Sequence, residues 1–536
     1  MPPSPPIVLN AVTFAWPDGT LALDRLSATF PAGRTGLVGA NGAGKSTLLR
    51  LIAGELSPSQ GSITVAGEVA YLPQTVTLDV GATVADRLGI AAQVAALRAI
   101  ESGDADPRHF DALADDWDVE VRAAEALRSL DLPAFGLERR VGELSGGEAM
   151  LVALAGLIVR RAPVTLWDEP TNNLDRAGRA AVARAAAAWS GTLVVVSHDL
   201  DLLEAMDQTA ELYGARLTLF GGPYSFYEAE LAQRQAAARQ AQRTAEAAVR
   251  AEKRSRQAAE TAIARRAKQG KKERGSLPTI LLNERRKHAQ ESAGQLRVTL
   301  DGRVAAAEDK AQAAAELVRE DVHLRIDLPD PGVAPGKRIA ELIDAAGRRI
   351  IIQGPERVAL VGANGVGKTT LLERLLGRPV TPGSAVAVAA EFPAGRLWTD
   401  RVGYLPQRSD GLDPAGSAVD AVRAVAPEVT VGAIRSQLAR LLVRGDAALR
   451  PVGTLSGGER FRVALARLIL ADPPPHLLIL DEPTNNLDRP SVTQLTDALT
   501  ACRGALLVVS HDHRFLDDVG INVTLELTAA GELLSA

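Results

Sequence analysis

Two octapeptides of one pattern, Gly39-Ala-Asn-Gly-Ala-Gly-Lys-Ser46 and Gly362-Ala-Asn-Gly-Val-Gly-Lys-Thr369, stand 323 residues apart in a chain of 536. The first follows a short apolar run, Arg34-Thr-Gly-Leu-Val38, and opens a helical sequence, Lys45-Ser-Thr-Leu-Leu-Arg-Leu-Ile52. A strand that turns through glycines into a helix start aims backbone N–H groups and the positive helix end at one point, which makes a phosphate cradle. In such a cradle the lysine reaches the β- and γ-phosphates and the following hydroxyl, Ser46 or Thr369, holds Mg²⁺. The motif thus constrains the chain to an α/β fold, and its recurrence to two such units.

The length agrees, since 536 residues exceed what one core holds. With 46% hydrophobic, 4% aromatic and 23% charged residues, the composition is that of soluble globular protein rich in aliphatics. A single cysteine, Cys502, excludes a disulfide framework and any multi-cysteine metal or iron–sulfur centre, and fits a reducing, cytoplasmic setting. No run of eighteen apolar residues is present, so no membrane segment is expected, and Met1-Pro-Pro-Ser-Pro-Pro lacks the form of a signal peptide. The net charge of −5 is unevenly spread: residues 250–297 carry fourteen Lys/Arg and five Asp/Glu, a local +9, which leaves −14 elsewhere. Five of the nine lysines (253, 268, 271, 272 and 287) lie in that stretch.

Further motifs follow each glycine loop. Residues 7–16 alternate like a strand, and Pro17-Asp-Gly19 reads as a turn that leaves Trp16 at the strand end. Gln74 ends Tyr71-Leu-Pro-Gln; Ser145 in Leu144-Ser-Gly-Gly-Glu148 suits a helix N-cap, with Gly146 and Gly147 allowing close backbone approach. Val164-Thr-Leu-Trp-Asp168-Glu169 reads as a buried strand ending in two acids, the first suited to Mg²⁺ and the second to polarising a water. His198 closes another buried strand at the end where such sheets bind ligands. Singly, Gln74 reads as a solvated loop residue, Ser145 as an ordinary cap and His198 as structural. Their repetition in order argues otherwise: Lys368, Gln407, Ser456-Gly457-Gly458, Asp481-Glu482 and His511 recur, with a Glu-to-His interval of 29 in both halves. Lys-to-Gln intervals of 29 and 39 place an insertion near residues 391–398, and Gln-to-Ser intervals of 71 and 49 place about twenty extra residues near 101–117, in a helical lobe.

This set resembles the ATP-binding cassette superfamily. The resemblance implies two ATPs, each held between one half's glycine loop and the other half's Leu-Ser-Gly-Gly-Glu. One site would join Gly39, Asn41, Gly42, Gly44, Lys45, Ser46, Thr47 and Gln74 to Ser456, Gly457 and Gly458, with Trp16 stacked on adenine. The other would join Gly362, Asn364, Gly365, Gly367, Lys368, Thr369, Thr370 and Gln407 to Ser145, Gly146 and Gly147. Ser46, Gln74 and Asp168 would hold one Mg²⁺ and Thr369, Gln407 and Asp481 the other; Glu169 with His198, and Glu482 with His511, would be the catalytic pairs, both competent. The strand-like residues 322–333, taken as the counterpart of the first strand, end without an aromatic, so base selection at the second site stays open.

Residues 228–266 are rich in Ala, Gln, Arg and Glu and predict a long helix; a break over 269–278 and a second helix from 283 towards 319 make a hairpin. Its tip would bear Lys268, Lys271, Lys272 and Arg274, the apolar residues 277–282, then Arg285, Arg286 and Lys287. A solvated spacer is the plain reading of a charge run, but crowded lysines beside apolar residues suit a structured RNA surface. Together with Asp-Glu-Pro-Thr-Asn-Asn-Leu-Asp in both halves and Gly221-Gly-Pro-Tyr-Ser-Phe-Tyr227, the arrangement resembles the ABC-F family. That resemblance implies two P-loop ATP-binding cassette domains, 1–228 and 322–536, joined by a helical-hairpin linker, 229–321, in a monomer whose cassettes pair within the chain. It also implies ribosomal RNA and transfer RNA as partners of the linker, and a role either in translation or in antibiotic resistance. A transporter engine would leave the hairpin unexplained, and a DNA-repair or chromosome ATPase would carry a longer coiled coil within a cassette. A recycling ATPase with iron–sulfur clusters is excluded by the single cysteine.

Overall fold

A computed structural model describes residues 6–17, 19–74, 81–113, 116–172, 174–272, 279–319, 329–378, 394–407, 411–441, 443, 445–455, 457–485 and 487–535. It divides into two compact units, Met1–Tyr224 with His323–Ala536, and Ser225–Val322.

The first unit repeats one architecture. In the first half, six strands lie in the order Val69–Leu72, Val164–Asp168, Thr192–Val196, Arg34–Val38, Gln208–Tyr213 and Arg216–Phe220, parallel except for the last. The second half repeats this order with Val402–Leu405, Leu477–Asp481, Ala505–Val509, Arg357–Val361, Val523–Leu527 and Leu533–Ser535. The central strands are largely apolar, as strands covered on both faces are, and every residue of Val164–Asp168 and Leu477–Asp481 is buried. All the motif loops therefore leave the carboxyl edge of a buried parallel sheet, the edge at which such folds bind ligands.

A three-stranded antiparallel sheet accompanies each: Leu21–Phe30, Ile7–Ala15 and Gln60–Val65 in one half, Arg349–Gln353, Arg338–Ile343 and Ala394–Leu397 in the other. Ile7, Leu9 and Phe30 share one core with Leu37, Leu48 and Val194, which locks the antiparallel sheet onto the phosphate-loop strand and helix. A separate core forms the helical lobe, where Val84, Leu127, Leu151 and Leu154 pack together. There Gly156 lets two helices approach closely, since a Cβ on it would lie 2.7 Å from the carbonyl oxygen of Arg87.

Several expectations need correction. Residues 322–328 lie outside the described part and 329–333 form no strand; the counterpart of Ile7–Ala15 is Arg338–Ile343. Pro331, with no N–H to give a sheet ladder, argues against the earlier position, and Asp344-Ala-Ala-Gly347 between two apolar runs is the turn signal that marks the true one. The insertion placed near 391–398 precedes Ala394–Leu397, which is a core strand: eighteen residues separate it from the helix Lys368–Leu375, against seven between Lys45–Ile52 and Gln60–Val65. The extra residues of the first lobe form the helices Ala91–Glu101 and Pro107–Leu113, starting ten residues before the expected 101.

The second unit consists of two helices, Tyr224–Lys272 and Thr279–Glu316. They run antiparallel: Lys253 Nζ lies 2.8 Å from Glu308, Arg256 Nε 2.7 Å from Asp301, and Gln235 Oε1 accepts the Arg319 N–H at 2.8 Å. The expected break at 269–272 is absent, because one glycine, Gly270, costs only about 1 kcal/mol and cannot end a helix flanked by strong formers. Lys268, Lys271 and Lys272 therefore belong to the last turns of one helix, and Arg285, Arg286 and Lys287 to the first turns of the next, instead of to a loop. Arg274 and Leu277 lie outside the described residues; Lys268 and Lys287 are exposed. No described helix is long and apolar enough to cross a membrane.

Candidate functional site

Both glycine loops have the same geometry. Gly39 and Gly362 adopt φ of 155° and 144°, and a Cβ on either would lie 2.5 Å from a carbonyl oxygen, that of Leu212 or Leu527. Lys45 Nζ donates to the carbonyls of Gly39 and Ala40 at 2.7 and 3.1 Å; Lys368 Nζ donates to those of Gly362 and Ala363 at 2.7 and 3.0 Å. Burial lowers the pKa of both lysines, a cost that an anion in the loop would offset.

Next to each lysine a hydroxyl meets the first acid of the strand end. Ser46 Oγ donates to Asp168 at 3.1 Å, and Thr369 Oγ1 donates to Asp481 at 2.8 Å. Burial raises the pKa of Asp168, and pushes Asp481 up to about 6. The hydroxyl and carboxylate oxygens fit Mg²⁺, which takes one or two protein oxygens and completes its shell with water and phosphate. Among the described residues no group of three or more His, Cys, Asp or Glu is placed to hold a metal ion by itself.

The second acids are held unusually. Glu169 and Glu482 have φ of 51° and 49°, left-handed backbone that costs a non-glycine residue about 1–3 kcal/mol and clusters at functional sites. Their N–H groups donate to Val196 O and Val509 O, each at 2.8 Å, so the strained turn is pinned to the next strand. His198 Nε2 and His511 Nε2 each lie 3.4 Å from the neighbouring glutamate, and His511 Nε2 is 3.1 Å from Lys368 Nζ. Burial pushes Glu169 up to about 8 and Glu482 to about 7, and lowers both histidines to about 4. Neutral histidines beside carboxyl groups poised near neutrality suit proton transfer. Among the described residues neither carboxyl oxygen of Glu482 has a well-aligned hydrogen-bond donor.

The two halves meet across these loops. A cavity of about 1050 Å³ is lined by Trp16, Lys45, Ser46, Gln74, Glu169 and His198 from the first half and by Gly453, Gly458, Arg460 and Phe461 from the second. Gln407, assigned from sequence to the other loop, also borders it. Ser456 lies outside the described residues; Gly457 begins the helix Gly457–Ile469, and a Cβ on Gly458 would come 3.9 Å from Asn41 Nδ2. Arg460 and Phe461 escaped the sequence reading, although they directly follow Glu459 on the helix that faces the loop. In the first half Ser145 caps Gly146–Arg160 through reciprocal bonds with Glu148.

Two aspartates bridge the halves. Asn41 N donates to Asp488 Oδ2 at 2.9 Å and Asn364 N donates to Asp175 Oδ2 at 3.3 Å. The other oxygen of each caps its own helix, accepting from Ser491 N at 3.1 Å and Gly178 N at 2.9 Å. Burial alone would raise Asp488, but the Asn41 and Ser491 donors outweigh it and its pKa falls below the usual value.

Residues 23–172 and 349–485 match the family described as ABC transporter. The tylosin resistance ATP-binding protein TlrC of Streptomyces fradiae is 32% identical over 554 residues, covering 96% of this chain and 95% of that protein. The energy-dependent translational throttle protein EttA of Mycobacterium tuberculosis is 29% identical over 527 residues, covering 92% and 87%. Among solved structures, an RNase-L inhibitor superposes with a TM-score of 0.55 at 19% identity, covering 96% of this chain and 87% of the other, which is a likeness of fold.

Proposed function

We propose that this chain, which belongs to the ABC-F branch of the ATP-binding cassette family, is an ATP hydrolase that binds the ribosome through its helical hairpin and modulates translation in the cytoplasm. The observation that carries the reading is the pairing of two facing cassettes with a hairpin whose residues 250–297 carry a net charge of +9 in a chain otherwise at −14. Phosphates of structured RNA attract such a surface, and shape supplies the specificity.

At the first site Lys45 and the loop N–H groups take the phosphates, while Ser46, Asp168 and Gln74 would hold a Mg²⁺ that would supply positive charge against the phosphates. Glu169 accepts the proton of the attacking water, and His198 orients it and the γ-phosphate. Trp16 stacks on the base, and Ser456, Gly457 and Gly458 complete the site from the other cassette. Lys368, Thr369, Asp481, Gln407, Glu482 and His511 act likewise at the second site, with Ser145, Gly146 and Gly147 opposite. Likeness to a tylosin resistance protein along nearly its whole length favours the resistance branch over a housekeeping one.

Sedimentation with purified ribosomes tests the reading. The chain should pellet with ribosomes in a non-hydrolysable ATP analogue and stay in the supernatant in ADP; equal pelleting in both would overturn it. Expression in a tylosin-sensitive host should raise the inhibitory concentration of tylosin several-fold, and an unchanged value would return the housekeeping branch.

The bridging aspartates give a second test. In D175N/D488N the asparagines keep the helix caps, so the helical content read by circular dichroism should match that of the parent. Each loses a charge-assisted bond worth about 1.5–3 kcal/mol, so ATP hydrolysis should fall at least about tenfold. Unchanged turnover would show that these contacts do not close the sites.

A further inference from the structure

The phosphate loops are near copies, but the hairpins beside them are not. In the first cassette Ala15 pairs with Leu21 across a turn in which Trp16 N donates to Thr20 O and Gly19 N donates to Trp16 O, both at 2.9 Å. In the second, Ile343 pairs with Arg349 across a turn of equal length, in which Asp344 N donates to Arg348 O at 3.1 Å and Gly347 N donates to Asp344 O at 2.9 Å. These matching bonds set Asp344 in the place of Trp16, Arg348 in that of Thr20 and Arg349 in that of Leu21.

The exchange alters what a nucleotide base would meet. Trp16, Thr20 and Leu21 line the cavity that also holds Lys45 and Ser46. Asp344 is 5% exposed and spends its carboxylate within its own fold, accepting from Arg348 N at 2.8 Å and Leu533 N at 3.4 Å, with Arg348 Nε 3.2 Å away. It presents neither a flat apolar face nor an unused acceptor. The facing helices differ in the same sense. Arg460 and Phe461 border the first cavity, whereas the residues at the same distance after Ser145 are Ala149 and Met150, both buried in the core of their own lobe.

We infer that the first site reads base and triphosphate together, whereas the second reads the triphosphate alone and accepts pyrimidine as well as purine nucleoside triphosphates. This rests on the proposal that both loops are nucleotide sites. Stacking on an aromatic face strengthens binding by roughly tenfold and rewards the larger purine. Lys368 and the loop N–H groups would contact only phosphate, and Thr369 the Mg²⁺ that accompanies it, which every nucleoside triphosphate shares.

Equilibrium binding of radiolabelled ATP and CTP with Mg²⁺ to the full-length E169Q/E482Q chain tests this. ATP should saturate at two per chain, and CTP should displace the two bound ATPs in two steps, as readily as ATP itself at the second site and roughly tenfold less readily at the first. In K45A, which leaves the second site, ATP and CTP should bind alike; in K368A, which leaves the first, ATP should bind roughly tenfold tighter than CTP, and W16A/K368A should erase that preference. An ATP preference of tenfold or more at the second site, or none at the first, would each overturn the inference while leaving two nucleotide sites in place. Saturation by fewer than two ATPs would overturn the two-site reading, and this inference with it. The displacement measured without lysine substitutions keeps the test decisive if K368A fails to fold.

Discussion

With Glu169 and Glu482 both replaced by Gln, ATP turnover should fall about 10²–10⁴-fold, the usual contribution of a general base, while ATP still binds. Gln keeps the side-chain shape and adds a neutral amide, so the left-handed turns at φ of 51° and 49° and their bonds to Val196 and Val509 should survive. What disappears is the group that receives the proton of the attacking water. Because the chain is expected on ribosomes in the ATP state and off them in the ADP state, the variant should remain on ribosomes after an ATP chase that clears the parent chain. Single-turnover hydrolysis with quenched-flow sampling measures the first effect and gradient sedimentation the second. A double variant that turns over within tenfold of the parent would remove both glutamates from the catalytic role; loss of trapping with hydrolysis abolished would break the link between hydrolysis and release.

Charge reversal at Lys268, Lys271, Lys272 and Arg274 should weaken ribosome binding by about a thousandfold or more at moderate salt. Each neutralised phosphate contributes roughly 0.7–0.9 to the slope of log affinity against log salt, so loss of four such contacts should flatten that slope by about three. Nucleotide affinity should not change, since these residues belong to the compact unit Ser225–Val322 and the loops to the other. Binding titrations at several salt concentrations with ATP affinity measured in parallel decide the matter. A collapse of ATP affinity would make the basic helix ends structural supports instead of an RNA surface.

Much of this site was legible because its signals are local. Glycines before Lys45, a serine three residues before Glu148 and two acids ending an apolar run each report chemistry that acts within a few residues, and the loop, capping box and strand end all formed there. Pattern misled where one residue was weighed without its surroundings. Of the break expected over 269–278, the part up to Lys272 is helix, and the run beginning at 322 resembled a strand although Pro331 and the hairpin 338–353 argue against it. The contacts of Asp488 with Asn41 and the place of Phe461 on the first cavity join residues hundreds of positions apart. They depend on how one half docks on the other, which periodicity does not encode.

Those bridging aspartates also limit what the two sites can be to each other. Since Asp488 holds the Asn41 loop with one oxygen and the Ser491 helix start with the other, and Asp175 does the same for Asn364 and Gly178, movement of either loop is transmitted to a helix of the opposite half. Coupling of this kind obeys reciprocity: the factor by which occupancy of one site changes affinity at the other is the same in both directions. In binding, neither site can command while the other only obeys.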